Sequence, residues 1–476
     1  MTKLILLISC QIIFLSFAKP KVYNVKIHGG MEEGEFYLDI KVGTPSLPFR
    51  VQVDTGSSLL FVPSKECSTC SVHTKRVYDI EGSVTAERIG CDSIFCDRNT
   101  CSSSSFCSKA CSAQRNSCCS VSDPEECGFG VKYGGGTSAS GPLTRDIIQI
   151  GNLKHKVTFG RVTEEKGMWL SSVDGILGLA FRGLDCSPSC VPPLIGELVD
   201  ANLVNDIFAL CFGDKGGLMT IGGIDSNLYN GEIFYTPIMA NLDKTYTFYT
   251  ISLSDIKIGD TTIFQDIQLD DTAVIDSGST LILLRRPIYN QIMKRFRRDY
   301  CHLEAVCMKP SIIDAPIEGT QHCLDNPPYG EWPTFEFHLG DVRLYISPDL
   351  YFVRSHNKFC FAIRPTPPAV GKFNLLGDAL LRGFYTVFDR ANKTVGFATA
   401  NSRQCGLPKG GNVNSPLRNG FLHSQKIVIV TVCCVSFPLL ILLLSYYHDP
   451  VGGDRLDLVH MLISVDEVQE NIALVK

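Results

Sequence analysis

Two stretches of this chain carry the same short chemistry. Val53-Asp54-Thr55-Gly56-Ser57-Ser58 returns in altered form as Ile275-Asp276-Ser277-Gly278-Ser279-Thr280. Each copy follows an apolar run, Phe49 to Val53 and Thr272 to Ile275, and precedes another, Leu59 to Val62 and Leu281 to Leu284. An acidic turn between two strands, occurring twice, implies two halves that each present one carboxylate. The glycine permits a tight turn and close backbone approach. The small hydroxyl residues can hydrogen-bond an aspartate and fix its orientation. Two carboxylates brought together cannot both ionise easily, so they share a proton. One then acts as base on a water while the other donates a proton. Taken alone, either copy reads equally well as an Asx-turn at a strand end. The accompanying motifs favour the paired reading.

Those motifs also come in order. Asp174-Gly175-Ile176-Leu177-Gly178-Leu179 is an apolar strand broken by glycine, and its counterpart is Leu375-Leu376-Gly377-Asp378. The sequence of Asp motif, then apolar-apolar-Gly, therefore occurs twice, an internal repeat of supersecondary kind. Between the first pair lies Tyr133-Gly134-Gly135-Gly136-Thr137-Ser138-Ala139-Ser140-Gly141. It is Gly-rich, small and polar with one aromatic, and reads as a hairpin tip that serves as a lid over a cleft.

Composition narrows the class. The chain has 476 residues, 45% hydrophobic and 20% charged, with a net charge of −5, so it holds two or more domains and no nucleic-acid partner is implied. The 41 Gly and many short Val/Ile/Phe/Tyr runs predict an all-β protein. Helical spacing is confined to Pro192–Leu203, a link between the halves, and to Arg286–Tyr300, whose basic face reads as solvated. Cysteine is the outlier at 21, and such usage points to disulfides in an oxidising compartment. Ten of them fall between Cys67 and Cys127, a Ser-rich insert with too few apolar residues for its own core, which disulfides would have to staple. Cys67-x-x-Cys70 resembles half a zinc site, but no matching Cys/His pairs follow at usable spacing, so neither metal nor cofactor is expected. Asn392-Lys393-Thr394 is a glycosylation sequon at an expected hairpin turn.

The ends of the chain address it to a membrane. Residues 1–18 read as a signal peptide, with Lys3, an apolar run from Leu4, and a small-residue cleavage site at Ala18. Some fifteen residues then precede the expected first strand, Glu35 to Val42, which leaves little room for a folded pro-segment. Residues 34–205 and 206–406 are the expected lobes, and 407–425 an expected stalk. Residues 427–447 carry no charge and are long enough for one transmembrane helix, with 448–476 as a cytosolic tail. Basic residues flank the span on the stalk side (Lys409, Arg418, Lys426), against the usual bias. The leader and the disulfides nevertheless require the body to be lumenal.

Together these motifs resemble the pepsin-type aspartic endopeptidases over roughly residues 34 to 406. The insert and the flap form resemble the nepenthesin subgroup, and the added C-terminal span resembles plasmepsin V-like enzymes. The resemblance implies a bilobal β fold, a monomeric catalytic domain, and a peptide or protein substrate lying in the cleft. Asp54 and Asp276 would be the catalytic pair, hydrolysing the amide through a tetrahedral intermediate without an acyl-enzyme. Thr55 and Ser277 would tie the two loops together beneath it, Ser57 and Ser279 would bond the outer carboxylate oxygens, and Gly56 and Gly278 match the glycines of the family's loops. Tyr133 would close over the substrate. The resemblance further implies the disulfides Cys211–Cys405 and Cys323–Cys360, leaving Cys301–Cys307 as a local pair, and favours the endoplasmic reticulum over post-Golgi compartments or the cell surface. One departure is Phe61, where family members often have a tryptophan that bonds the flap tyrosine; phenylalanine has no such donor. The competing reading is a non-catalytic binding relative of the same fold, which would have no need of both aspartates with their hydroxyl partners. A shared proton implies an acid-leaning pH profile.

Overall fold

The computed structural model describes residues 21–70, 76–96, 117–119, 126–134, 136–167, 173–185, 191–264, 271–303, 306–307, 311, 323–326, 331–355, 357–368, 373–406 and 411–414. The expected leader 1–18, Cys101, Cys107, Cys111, Cys186, Cys190, the apolar run 427–447 and the tail 448–476 lie outside these residues, as does most of 407–425. No described helix is long and apolar enough to cross a membrane.

The described chain is predominantly β, and each half builds its Asp loop in the same way. In the first half, Leu47–Asp54 runs antiparallel to Glu35–Val42 and parallel to Gly175–Gly178, with Gly178 opposite Asp54. Gly175–Gly178 also runs antiparallel to Leu60–Pro63. In the second half, Asp271–Ile275 lies parallel to Asn374–Leu376, which runs antiparallel to Ile282–Leu284. The chain thus leaves the sheet through the Asp loop and returns two strands away, and a later strand fills the gap. Leu60–Pro63 and Gly175–Gly178 are buried at every position, which is why they read as unbroken apolar runs rather than alternating ones.

The inserted strands end on glycines because nothing larger fits. A Cβ on Gly178 would stand 2.4 Å from the Leu59 amide nitrogen, and one on Gly377 would stand 2.1 Å from the Ser279 carbonyl oxygen. Both glycines cross the Asp loop of their own half at backbone contact.

One sheet runs from half to half. Tyr23–Gly30 pairs with Glu35–Val42 on one side and with Lys215–Ile221, beyond the link between the halves, on the other. The expectation that Glu35–Val42 is the first strand is therefore corrected: Tyr23–Gly30 precedes it. The inward residues Val25 and Ile27 are too short an alternation to stand out in the sequence, and the strand is held by neighbours on both edges. At the other end, Asn412–Asn414 pairs with Val342–Ile346 and sets Val413 opposite Leu344. Within the stretch read as stalk, Asn412–Asn414 is thus paired into a sheet.

The link helix is Leu194–Asp200, burying Leu194, Ile195 and Leu198. Arg286–Asp299 buries Ile288, Tyr289, Ile292, Met293 and Phe296, with Arg297 and Arg298 in its last turn, where cations suit the helix dipole. Cys211 is bridged to Cys405, Cys301 to Cys307, and Cys323 to Cys360, the last two cysteines facing each other across a strand pair. In the insert, Cys67 is bridged to Cys70, and Cys91 is disulfide-bonded. Cys127 keeps its thiol: a hydrogen bond with Cys96, then burial, pushes it up.

Candidate active site

The two Asp loops meet where the halves join. The N–H of Thr55 donates to Ser277 Oγ at 3.1 Å, and the N–H of Ser277 donates to Thr55 Oγ1 at 2.9 Å. Each hydroxyl then donates across the junction, Thr55 Oγ1 to the Ile275 carbonyl at 2.9 Å and Ser277 Oγ to the Val53 carbonyl at 2.8 Å. Both residues are fully buried, so each donor and acceptor must find its partner inside the protein. Four bonds of about 1 kcal/mol each thereby fix one loop on the other.

Above this interlock the carboxyls are set in matching cradles. Asp54 Oδ1 accepts from the Gly56 N–H at 2.8 Å, and Asp276 Oδ1 from the Gly278 N–H at 2.9 Å. Ser57 Oγ donates to Asp54 Oδ2, and Ser279 Oγ donates to Asp276 Oδ2 at 2.6 Å. The glycines are required by the opposite carboxyl. A Cβ on Gly56 would lie 2.3 Å from Asp276 Oδ1, and one on Gly278 would lie 2.3 Å from Asp54 Oδ1. The structure thus brings together all eight loop residues that the sequence singles out.

The carboxyls are nearly buried, Asp54 at 4% and Asp276 at 9% exposure, and lie side by side: the same Cβ on Gly278 would stand 2.3 Å from Asp54 Oδ1 and 3.2 Å from Asp276 Oδ1. Burial first, then the charge of Asp276, pushes Asp54 up to about 7, against the opposing pull of Ser57 and the Gly56 N–H. Burial also raises Asp276, while its hydrogen bonds to Ser279 and the Gly278 N–H hold it down. Both are raised by burial, so the two buried carboxyls titrate as a pair that retains one proton between them.

Tyr133 stands at the turn between Cys127–Lys132 and Ser138–Ile150. Its N–H donates to the Thr137 carbonyl at 2.9 Å, and its carbonyl accepts from the Gly136 N–H at 2.9 Å. Gly136 has φ of +83° with no atom within 4 Å of an added Cβ, so it marks an open, tightly turned tip. The half-buried Tyr133 side chain packs against a cluster that includes Leu59, Phe61 and Phe129. Phe61 is 2% exposed and stacks on Phe129 with ring centroids 6.0 Å apart. Asn392 is exposed at the turn before Thr394–Ala400, and its Nδ2 donates to Asp389 Oδ2 at 2.8 Å.

Asp378 was quoted in the sequence only as the end of a repeated motif. Its N–H donates to the Ser279 carbonyl at 2.8 Å, which sets it against the Asp276 loop. It is 1% exposed, and neither carboxyl oxygen has a hydrogen-bond partner among the described residues. Burial, reinforced by the charges of Asp276 and Asp54, raises it well above the carboxylate range. No signal in one sequence separates such a carboxyl from an exposed one.

Known proteins agree with this arrangement. The family model for eukaryotic aspartyl proteases matches residues 35–400. Vacuolar protease A of Aspergillus fumigatus is 28% identical over 380 residues, covering 77% of this chain and 79% of its own. Plasmepsin I of Plasmodium falciparum is 27% identical over 380 residues, covering 77% of this chain and 69% of its own. Beta-secretase of Strongylocentrotus purpuratus is 27% identical over 436 residues, covering 80% of this chain and 69% of its own. The doubled Asp loops, their interlock and the extent of the family match place this chain in the pepsin-like eukaryotic aspartyl protease family, as an aspartic endopeptidase.

Proposed function

We propose that Asp54 and Asp276 are the catalytic pair of this endopeptidase and that they act on a peptide bond through one shared proton. The observation that carries the reading is two buried carboxyls in matching Gly/Ser cradles, each 2.3 Å from where a Cβ on the opposite loop's glycine would stand. The ionised member of the pair takes a proton from a water molecule as the water oxygen attacks the scissile carbonyl carbon. The other member gives its proton to the carbonyl oxygen. The tetrahedral diol then collapses: the C–N bond breaks, the amine leaves with the proton taken from water, the other carboxyl recovers a proton from a diol hydroxyl, and the new carboxyl stays on the other product. Aspartic proteases are themselves the standard instance of two carboxylates sharing a proton, so that feature follows from the family as much as from this geometry. Both aspartates keep their hydroxyl partners, which a binding-only role would not require. Tyr133 on the flap closes over the bound peptide.

The same proposal places the enzyme in the endomembrane system. A leader over 1–18 and one span over 427–447 would make it a type I membrane protein, with a monomeric catalytic domain in the lumen and 448–476 in the cytosol. The disulfides support an oxidising compartment. Vacuolar proteases among the relatives fit a secretory route, and the insert with the span favours a nepenthesin or plasmepsin V-like subtype resident in the endoplasmic reticulum. Asn392 is the proposed glycan site. The test is cleavage of a peptide library in ¹⁸O-labelled water, with intact-mass analysis of the protein during turnover. The expected result is label in the newly formed carboxyl groups and an unmodified protein mass. A covalent acyl adduct on the protein would overturn the mechanism.

A further inference from the structure

The cysteine-rich insert is bounded by two carboxylates, and both reach one buried cation. Arg161, 1% exposed, lies on the strand Leu153–Val162. Its Nη1 donates to Glu66 Oε2 at 2.6 Å, just before Cys67. Its Nη2 donates to both Glu126 oxygens at 2.8 Å, just before Cys127, and its Nε donates to Thr144 Oγ1 at 3.2 Å. Arg88 Nη1 adds a third bond to Glu126, at 2.7 Å. Arg161 therefore clamps both mouths of the insert onto the sheet of the first lobe. The Cys67–Cys70 bridge closes the chain directly behind one of them.

Glu126 leads straight into the first flap strand, Cys127–Lys132. The outer edge of that strand is covered by Ser117–Cys119, a strand of the insert, with Ser117 opposite Phe129 and Cys119 opposite Cys127. The second flap strand is covered over Ser138–Ser140 by Glu164–Lys166. The flap hairpin is thus the inner pair of a four-stranded patch. A lone two-stranded hairpin is marginal in water, so such edge strands decide how firmly it stands. Phe129 seats the base: a Cβ on Gly160 would come 2.3 Å from its ring, and Phe61 stacks on it.

We propose that Arg161 is a positioning residue for the flap, acting through Glu66, Glu126 and the insert strand Ser117–Cys119. The clamp holds the base of the hairpin that carries Tyr133, and so helps set where Tyr133 stands over a peptide. The proposal rests on the reading of Tyr133 as the residue that closes over the substrate. Loosening the clamp frees the flap strands while the Asp loops, held by their own interlock, stay in place.

The test compares the whole chain with its Glu66→Gln and Arg161→Lys variants, with Arg285→Gln, which breaks a second-lobe pair with Asp271, as control. Glu66→Gln is the mild variant, since that side chain is 53% exposed and leaves the Glu126 half of the clamp intact. Hydrogen exchange should quicken about tenfold at amides 128–134 and 136–140 in both clamp variants, and not at 54–58 or 276–280. On denatured casein, KM should rise about fivefold with kcat within about twofold. The control should change neither. Unchanged flap exchange in the folded variants, or exchange that quickens evenly over both lobes, would overturn the proposal. If the parent protein cuts no casein but its flap still responds, the endopeptidase reading fails and the coupling stands. Full cleavage with an unresponsive flap gives the reverse.

Discussion

Asp378 shows what burial does to a single carboxyl. It is raised from its ordinary 3.8 by desolvation first and by its two acidic neighbours second. A carboxyl raised on folding stabilises fully below its unfolded value, and that stability is lost as pH rises through the folded value. Asp54, at about 7, and Asp276 shift in the same direction. The folded protein is therefore expected to weaken as pH climbs from about 4 to about 7. Asp378→Asn removes one of these titrations without changing shape. Its melting temperature should match the parent near pH 4 and exceed it by a widening margin as pH rises to 7. Thermal melts across that range check this, and a gap that does not grow with pH contradicts it.

At the scale of elements, the site depends on strands that cross the Asp loops at backbone contact. Gly178→Ala would drive a Cβ to 2.4 Å from the backbone of Ser58 and Leu59, where no flexible side chain can yield. The expected cost is about 1–3 kcal/mol of overpacking, with a fall in kcat because Leu179 N–H, one residue on, holds the Asp54 carbonyl at 2.8 Å. Denaturant midpoints and kcat measured together check it; a variant as stable and active as the parent would refute the close-packing argument. These strands were legible in the sequence because they are buried on both faces and read as apolar runs ending in glycine. The Asp loops were legible because their chemistry needs specific residue types at adjacent positions. Tyr23–Gly30 and Asn412–Asn414 were not, since each offers only one or two inward side chains and is held by its neighbours. Arg161 was hidden for a different reason: its partners stand 95 and 35 residues away in sequence, and no local pattern announces them.

At the scale of the molecule, two lobes must hold one carboxyl pair in register. Tyr23–Gly30 joins their sheets, and Arg390 pins them from behind. This arginine, 5% exposed, donates to the carbonyls of Leu179 at 3.1 Å and Ala180 at 3.0 Å, and pairs with Asp206 at 2.6 Å. Ala180 N–H in turn donates to the Ser57 carbonyl at 2.8 Å, so the clamp reaches the Asp54 loop. Arg390→Met should cost about 2 kcal/mol, since it removes the cation paired with Asp206 and a donor to the Ala180 carbonyl, while the Leu179 carbonyl keeps the Tyr249 hydroxyl at 2.6 Å. Equilibrium unfolding measures it, and a loss below about 0.5 kcal/mol would show the pairing to be idle. The central claim, however, is that both lobes give one indispensable carboxyl to a single proton-sharing site. The most direct measurement is the pH dependence of kcat/KM for the parent beside Asp54→Asn and Asp276→Asn, with the fold of each verified. The parent should lose activity as pH rises through about 7, where the shared proton leaves, and each variant should fall by at least about 10⁴ at every pH. Either variant retaining a tenth of parental activity, or a parent whose activity rises steadily through neutral pH, would contradict it.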